Sequence, residues 1–202
     1  MHSSRRLWTV TGEINEGLSM KAITEQHLKR LIEAAIFVSE KPLSEENIKQ
    51  TLLADYKVTK IRIISVIESL QYYYQDRGIQ LIKVASGYRF QAVSELSEDL
   101  AALFKERAPR YSRALLETLS LIAYKQPITR GEIEQIRGVA VSSSIMKTLS
   151  ERAWIKIVGH KEVPGKPAIY ITTDEFLDYF SLSVLSDLPQ LRPLTTNEKL
   201  TT

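Results

Sequence analysis

Apolar residues recur three and four apart over residues 27–39, where Leu28, Leu31, Ile32, Ala35 and Ile36 fall on one side of a helix. Pro42 disfavours helix at Lys41 and ends that run. Ser44 is placed to cap a second helix reaching to about Leu53, with Glu45 and Glu46 in its first turn facing the positive end of the dipole. A third helix is predicted over residues 59–77, with Ile63, Val66, Ile67, Leu70, Tyr73 and Tyr74 inward and Gly78 after its end. The period then drops to two, predicting strands at 80–84 and 88–93 around a Ser86-Gly87 turn. Helix, helix, helix, hairpin is the order of a winged helix.

The pattern then repeats. Pro42 matches Pro127, Leu43 matches Ile128, Ser44 matches Thr129, Ile48 matches Ile133 and Gln50 matches Gln135, all at one offset of 85 positions (42 to 127). Such a repeat implies two copies of one structural unit. In the second copy Ser112 caps a helix to Ala123, with Leu115, Leu116, Leu119 and Ile122 inward. Thr129-Arg130-Gly131-Glu132 is a capping box opening a helix that ends near Arg137-Gly138. A third helix covers 142–152, with Ile145, Met146 and Leu149 inward. Strands at 155–158 and 168–172 form the wing, and Val163-Pro164-Gly165-Lys166 fits a type II turn. The fold class expected is mainly α with small β-hairpins (α+β), as tandem winged-helix domains. The expected division is a disordered N-terminal extension (1–23), a first winged-helix domain for dimerisation (24–95) and a linker helix (96–111) broken by Pro109. A second winged-helix domain for partner binding (112–182), closed by a short helix at 175–180, and a flexible C-terminal tail (183–202) follow.

Composition narrows the chemistry. The chain is 44% hydrophobic and 25% charged, as an ordinary globular protein is. It has no cysteine, so disulfides and thiolate metal sites are excluded. No apolar stretch approaches the roughly 18 residues that span a bilayer, and the basic N-terminus lacks the apolar core of a secretory signal. A cytoplasmic location is expected. The net charge of +3 is uneven: residues 24–100 hold 10 Lys and Arg against 11 Asp and Glu, whereas residues 110–170 hold 10 against 5. A basic second half admits nucleic acid nearby, and so does an ordinary solvated surface.

Candidate catalytic residues are lacking. His2, His27 and His160 lie far apart and form no ligand-spaced pair. Ser142-Ser143-Ser144 has no flanking glycines to make a nucleophile elbow and suits a helix cap instead. No phosphate loop occurs. The reading is therefore of a protein that is not an enzyme, with no catalytic, cofactor-binding or metal site. Base reading by the third helices is thinly supplied with cations, and His160, Lys161 and Lys166 of the second wing offer only sequence-independent phosphate contacts. Any DNA contact is expected to be weak and non-specific. Protein binding is better supplied. Ile61, Ile64 and Tyr72 point away from the inward stripe of the third helix, as candidates for self-association or for burial under the linker. Tyr124, Lys125, Gln126 and Arg130 surround the junction before the capping box, where Tyr and Arg suit an interface; a core position for Tyr124 fits equally.

Two stretches are more specific than a winged-helix pattern. LLETLSLIAYKQPITRGEIEQIRGV (residues 115–139) and IVGHKEVPGKPAIYITTDEFLDYF (157–180) closely resemble the bacterial segregation and condensation protein B family. LIEAAIFVSEKPLSEENIKQ and GYRFQ resemble its opening helix pair and first wing, so the likeness covers about residues 28–182. The Ala140-Val141-Ser142-Ser143-Ser144 turn departs from the Asn or Asp expected there. The resemblance implies a homodimeric accessory subunit of an SMC–kleisin, condensin-like complex. Its dimer grips the central segment of the kleisin, segregation and condensation protein A, which bridges the ATPase heads of the SMC dimer, in chromosome condensation and partition at cell division. On that footing Tyr124, Lys125, Gln126, Arg130, Glu134 and Arg137 are placed on or near the kleisin surface. The alternative from another class is a tandem winged-helix transcriptional regulator that binds DNA.

Overall fold

Seven helices open in the same way, on a hydroxyl of the residue just before them. Thr24, Ser44, Thr59, Ser112, Thr129, Ser142 and Thr173 each accept a hydrogen bond from the backbone N–H three residues on. A hydroxyl at this position satisfies one of the four amides a helix leaves free, worth about 1 kcal/mol. The computed structural model describes residues 20–103 and 111–190. The helices so capped are α1 (Glu25–Val38), α2 (Glu45–Asn47), α3 (Lys60–Tyr74), α5 (Arg113–Lys125), α6 (Arg130–Arg137), α7 (Ser143–Glu151) and α8 (Asp174–Tyr179). A short α4 (Ser97–Ala101) has no such cap.

The architecture mixes these helices with two small antiparallel sheets. In the first, β1 (Ile79–Val84) pairs with β2 (Gly87–Ala92) from Ile79↔Ala92 to Val84↔Gly87. In the second, β4 (Ile155–His160) and β5 (Ala168–Thr172) form a hairpin, and β3 (Ile128–Thr129) joins the far side of β5. The ladder slips one residue between Ile157 and Gly159, a bulge at Val158. Two hydrophobic clusters result. Leu28 and Ile32 of α1, Ile48, Ile63 and Leu70 of α3, and Leu81 of β1 pack in the first. Leu119 and Ile122 of α5, Ile133, Leu149 and Trp154 pack in the second. A fully buried side chain of this kind contributes about 1.5–3 kcal/mol.

The repeat is carried into backbone pairing. Leu43 exchanges both main-chain hydrogen bonds with Tyr88, each 2.9 Å long. Its counterpart Ile128 pairs with Tyr170. In both copies, then, the residue after the proline stitches the junction between the first two helices to the second strand of the hairpin, a pairing too short to leave a period in the sequence. Gly87 is needed for that approach in the first copy: its φ is 147°, and a Cβ there would lie 2.3 Å from the Leu43 carbonyl carbon.

Several expectations are corrected. The second helix of the first copy is α-helical only over Glu45–Asn47 and continues as a wider π turn over Ile48–Leu52, where the Thr51 hydroxyl donates to the Asn47 carbonyl at 2.7 Å. Residues 20–23, assigned to the extension, are tied down: Lys21 N–H donates to Asp55 O at 2.7 Å and Arg62 donates to Ile23 O at 3.1 Å. Only five residues of the expected linker helix appear as α4, and 104–110 lie outside the described residues. The start of the expected tail is packed as well, since Leu188 lies against the second cluster and Pro189 O accepts from Tyr124; residues 1–19 and 191–202 lie outside the described residues. Tyr73 and Leu116, expected inward, are 51% and 40% exposed.

Candidate partner groove

One face of α5 is left for something else to cover. Its inward side, Leu115, Thr118, Leu119 and Ile122, is buried. The outer side recurs at the same spacing: Arg113, Leu116, Glu117, Ser120, Leu121 and Tyr124. With Tyr111 before it and Ile136 and Arg137 from α6 beside it, this side lines a groove of about 690 Å³. Leu116 and Ile136 give it an apolar floor.

Charge fixes the wall of the groove. Glu117 accepts from Arg113 Nε at 2.8 Å through one oxygen and from Arg137 Nη2 at 3.1 Å through the other. The Arg113 hydrogen bond first, then that of Arg137, holds the Glu117 carboxyl below its ordinary value. Arg137 is the less accessible of the two, its side chain only 9% exposed, and its Nε is buried with no hydrogen-bond partner in the described structure. At the other end the Tyr124 hydroxyl donates to Pro189 O at 2.5 Å, so that side chain stands at the rim and not in the core.

The six expected partner residues are therefore not one surface. Tyr124, Lys125 and Arg137 line the groove. Gln126 does not: its amide oxygen accepts from Thr172 N–H at 2.7 Å and its NH2 donates to the Ala123 carbonyl at 3.2 Å, which joins the end of α5 to β5. Arg130 and Glu134 are also committed elsewhere. They pair at 3.0 Å and hold the Val141 backbone from both sides, Arg130 donating to its carbonyl at 2.5 Å and Glu134 accepting from its N–H at 2.9 Å. The Val141 amide first, then Arg130, keeps Glu134 below its ordinary value. This clip shapes the turn between α6 and α7. The groove residues missed from sequence, Leu116, Ile136 and Ser120, were legible as the outward helical stripe of α5 and α6 once Leu116 is no longer counted inward.

The other candidates separate likewise. On α3, Ile61 is 81% and Tyr72 74% exposed, but Ile64 is half-buried. The exposed positions between Ile61 and Tyr72 include Ser65, Glu68 and Ser69, so the apolar stripe is interrupted. On the second wing, Lys161 Nζ donates to Glu132 Oε1 at 2.6 Å. That hydrogen bond, followed by those from the Thr129 backbone and hydroxyl, pulls Glu132 down to about 2. Lys161 is thus already neutralised within its own module, whereas His160 and Lys166 are exposed. Among the described residues no three His, Asp or Glu side chains gather to hold a metal ion, and no helix is long and apolar enough to cross a membrane.

A capped α5–α6 pair with an apolar groove between Arg and Tyr has the make-up of a surface that takes another chain. Comparison with known proteins gives the family. The family described as Segregation and condensation complex subunit ScpB matches residues 30–191. A Segregation and condensation protein B homolog from Coxiella burnetii is 48% identical over 178 residues, 88% of this chain and 85% of that one. Segregation and condensation protein B from Syntrophotalea carbinolica is 39% identical over 168 residues, 83% of this chain and 84% of that one. Among solved structures, ScpB from Mycobacterium tuberculosis is 26% identical over 79% of this chain and 98% of that one, with a TM-score of 0.37. The chain belongs to the segregation and condensation protein B family, whose work is chromosome condensation and partition.

Proposed function

We propose that the chain is a non-enzymatic, homodimeric subunit of an SMC–kleisin complex, with two winged-helix modules (24–95 and 112–182) and a groove that holds the central segment of segregation and condensation protein A. The observation that carries this reading is the α5–α6 groove. Its apolar floor and polar rim suit the apolar side of a helix or extended segment, and Tyr and Arg at its edge are residue types enriched where proteins meet. A segment without structure of its own costs entropy to order, so a preformed surface and a broad contact are needed. Chromosome condensation and partition follow from joining such dimers to an SMC ATPase through the kleisin.

Titration calorimetry of the purified chain with the central kleisin fragment tests this. Leu116→Glu and Ile136→Glu are expected to weaken binding at least about tenfold, the loss of roughly 1.4 kcal/mol or more, with the thermal melt kept. Unchanged affinity in both variants assigns the kleisin to another surface. Self-association through α3 is tested separately, because Ile61→Glu and Tyr72→Glu are expected to shift sedimentation from dimer to monomer. A transcriptional regulator is less well supported. The helix that would enter the major groove, α7, offers Lys147 already within 3.6 Å of Glu151 among exposed serines. Mobility shift over random and genomic duplexes is expected to show no sequence preference.

A further inference from the structure

The two hairpins end differently. The turn of the second, at 161–167, is exposed over most of its length. The turn of the first, Ala85-Ser86, is held by the other repeat. Ser86 N–H donates to Asp178 Oδ1 at 3.0 Å, and the Ser86 hydroxyl donates to Asp178 Oδ2. One carboxylate at the end of α8 therefore caps a turn 92 residues away in sequence. Around it, Ala85 N–H donates to Leu182 O at 3.0 Å, Arg89 Nη2 to Ser181 Oγ at 3.1 Å and Ser183 Oγ to Lys83 O at 3.0 Å. Apolar contact is slight. Ala85 and Leu182 both lie against the second cluster, and each is only partly buried.

We propose that Asp178 is a latch that fixes the arrangement of the two repeats, and that its release lets them turn relative to one another. The contact is nearly all polar and mostly exposed to water, as expected of a joint that opens reversibly and unlike a core. Asp178 is also the group that can release it. It alone takes two hydrogen bonds from the turn, and among the described residues no Lys or Arg forms an ion pair with it. The latch sets the span between the exposed face of α3 and the α5–α6 groove, which decides what length of partner reaches both. It does not depend on what fills that groove.

The chain has no cysteine, so a Lys49→Cys/Gln135→Cys pair takes spin labels at two sites and nowhere else. Pulsed dipolar spectroscopy of the labelled chain diluted into excess unlabelled chain, so that each dimer carries one labelled copy, is expected to give one narrow distance. Asp178→Ala is expected to broaden that distribution about twofold, as loosely docked domains do. Ser86→Ala, which keeps the backbone bond, should fall between the two. Ser86→Asp faces the carboxylate with like charge and should match Asp178→Ala even if the latter folds poorly. A parent distribution as broad as the variants, or folded variants as narrow as the parent, overturns the latch.

Discussion

The two repeats share a plan and differ in what they leave free. In the first, the short α2 passes into a π turn, the hairpin turn is fastened to the other repeat, and the exposed apolar groups are scattered on α3 and at Phe37 and Val38 at the end of α1. In the second, α6 is a regular helix of eight residues opened by a reciprocal capping box, the hairpin turn is open, and exposed Leu116 and Ile136 meet in one groove. Duplication of a fold therefore preserves what the core requires and frees the outer faces to diverge. The shared features are those a backbone amide or an apolar side chain cannot do without: the hydroxyl caps, the Leu43 and Ile128 stitches, and the stripe facing each cluster.

The comparison is broken most directly in the cores. Ile67→Ala and Leu149→Ala each remove a fully buried side chain and are expected to cost about 2–5 kcal/mol. If the repeats are separate units, calorimetry shows each variant lowering a different transition; one transition lowered by both variants would mean a single cooperative core. Glycine substitutions come next. Gly87→Ala forces a Cβ onto the Leu43 backbone and is expected to cost about 3 kcal/mol. Gly138→Ala, at φ 70° with open space around it, is expected to cost about 1 kcal/mol by denaturant titration. Caps are smaller still. Thr129→Ala should cost about 1–2 kcal/mol because it also strands Glu132, against about 1 kcal/mol for Ser44→Ala.

The pH response sharpens the same contrast. Glu132 is held at about 2, and Glu117 and Glu134 of the same repeat lie below their ordinary values. A carboxyl that loses its proton more readily when folded stabilises the fold fully above its unfolded value, near 4.5, and that contribution is lost as pH falls towards 2. In the first repeat only Glu45 is lowered among the described residues: burial pushes it up, but its backbone hydrogen bond, the Tyr88 hydroxyl and Lys83 outweigh that. Tyr88 is instead pushed up to about 12, by burial first and then by Glu45. A phenol that keeps its proton more tightly when folded contributes stability below pH 10 that is lost as pH rises towards 12. Acid titration followed by near-ultraviolet circular dichroism is expected to loosen the Trp154 side first, and alkaline titration the Tyr88 side first.

How much of this was legible follows from what leaves a period. The hydroxyl caps, the capping box and the Val163–Lys166 turn were readable because each needs a particular residue at a fixed spacing, and the turn closes with Lys166 N–H donating to Val163 O at 2.9 Å. The short strand Ile128–Thr129 was not, because two residues cannot display alternation. The helical spacing of α5 showed which residues share a face but not where its buried side stops, so Leu116 was placed one position too far inward. The roles of Gln126, Arg130 and Glu134 depended on partners at Thr172 and Val141, and sequence distance hides contacts of that kind. Polar residues grouped near a junction were read as one surface when half of them serve the fold.

The bulge at Val158 has a consequence for the particle as a whole. β4 lies at the rim of its sheet, with Ile157 and Val158 both more than half exposed. A flat rim of that composition invites a strand from any passing chain and, repeated, leads to fibrils. The extra residue bends the ladder out of register, so a newcomer cannot continue its hydrogen bonds. One unpaired valine thus closes this rim to added strands.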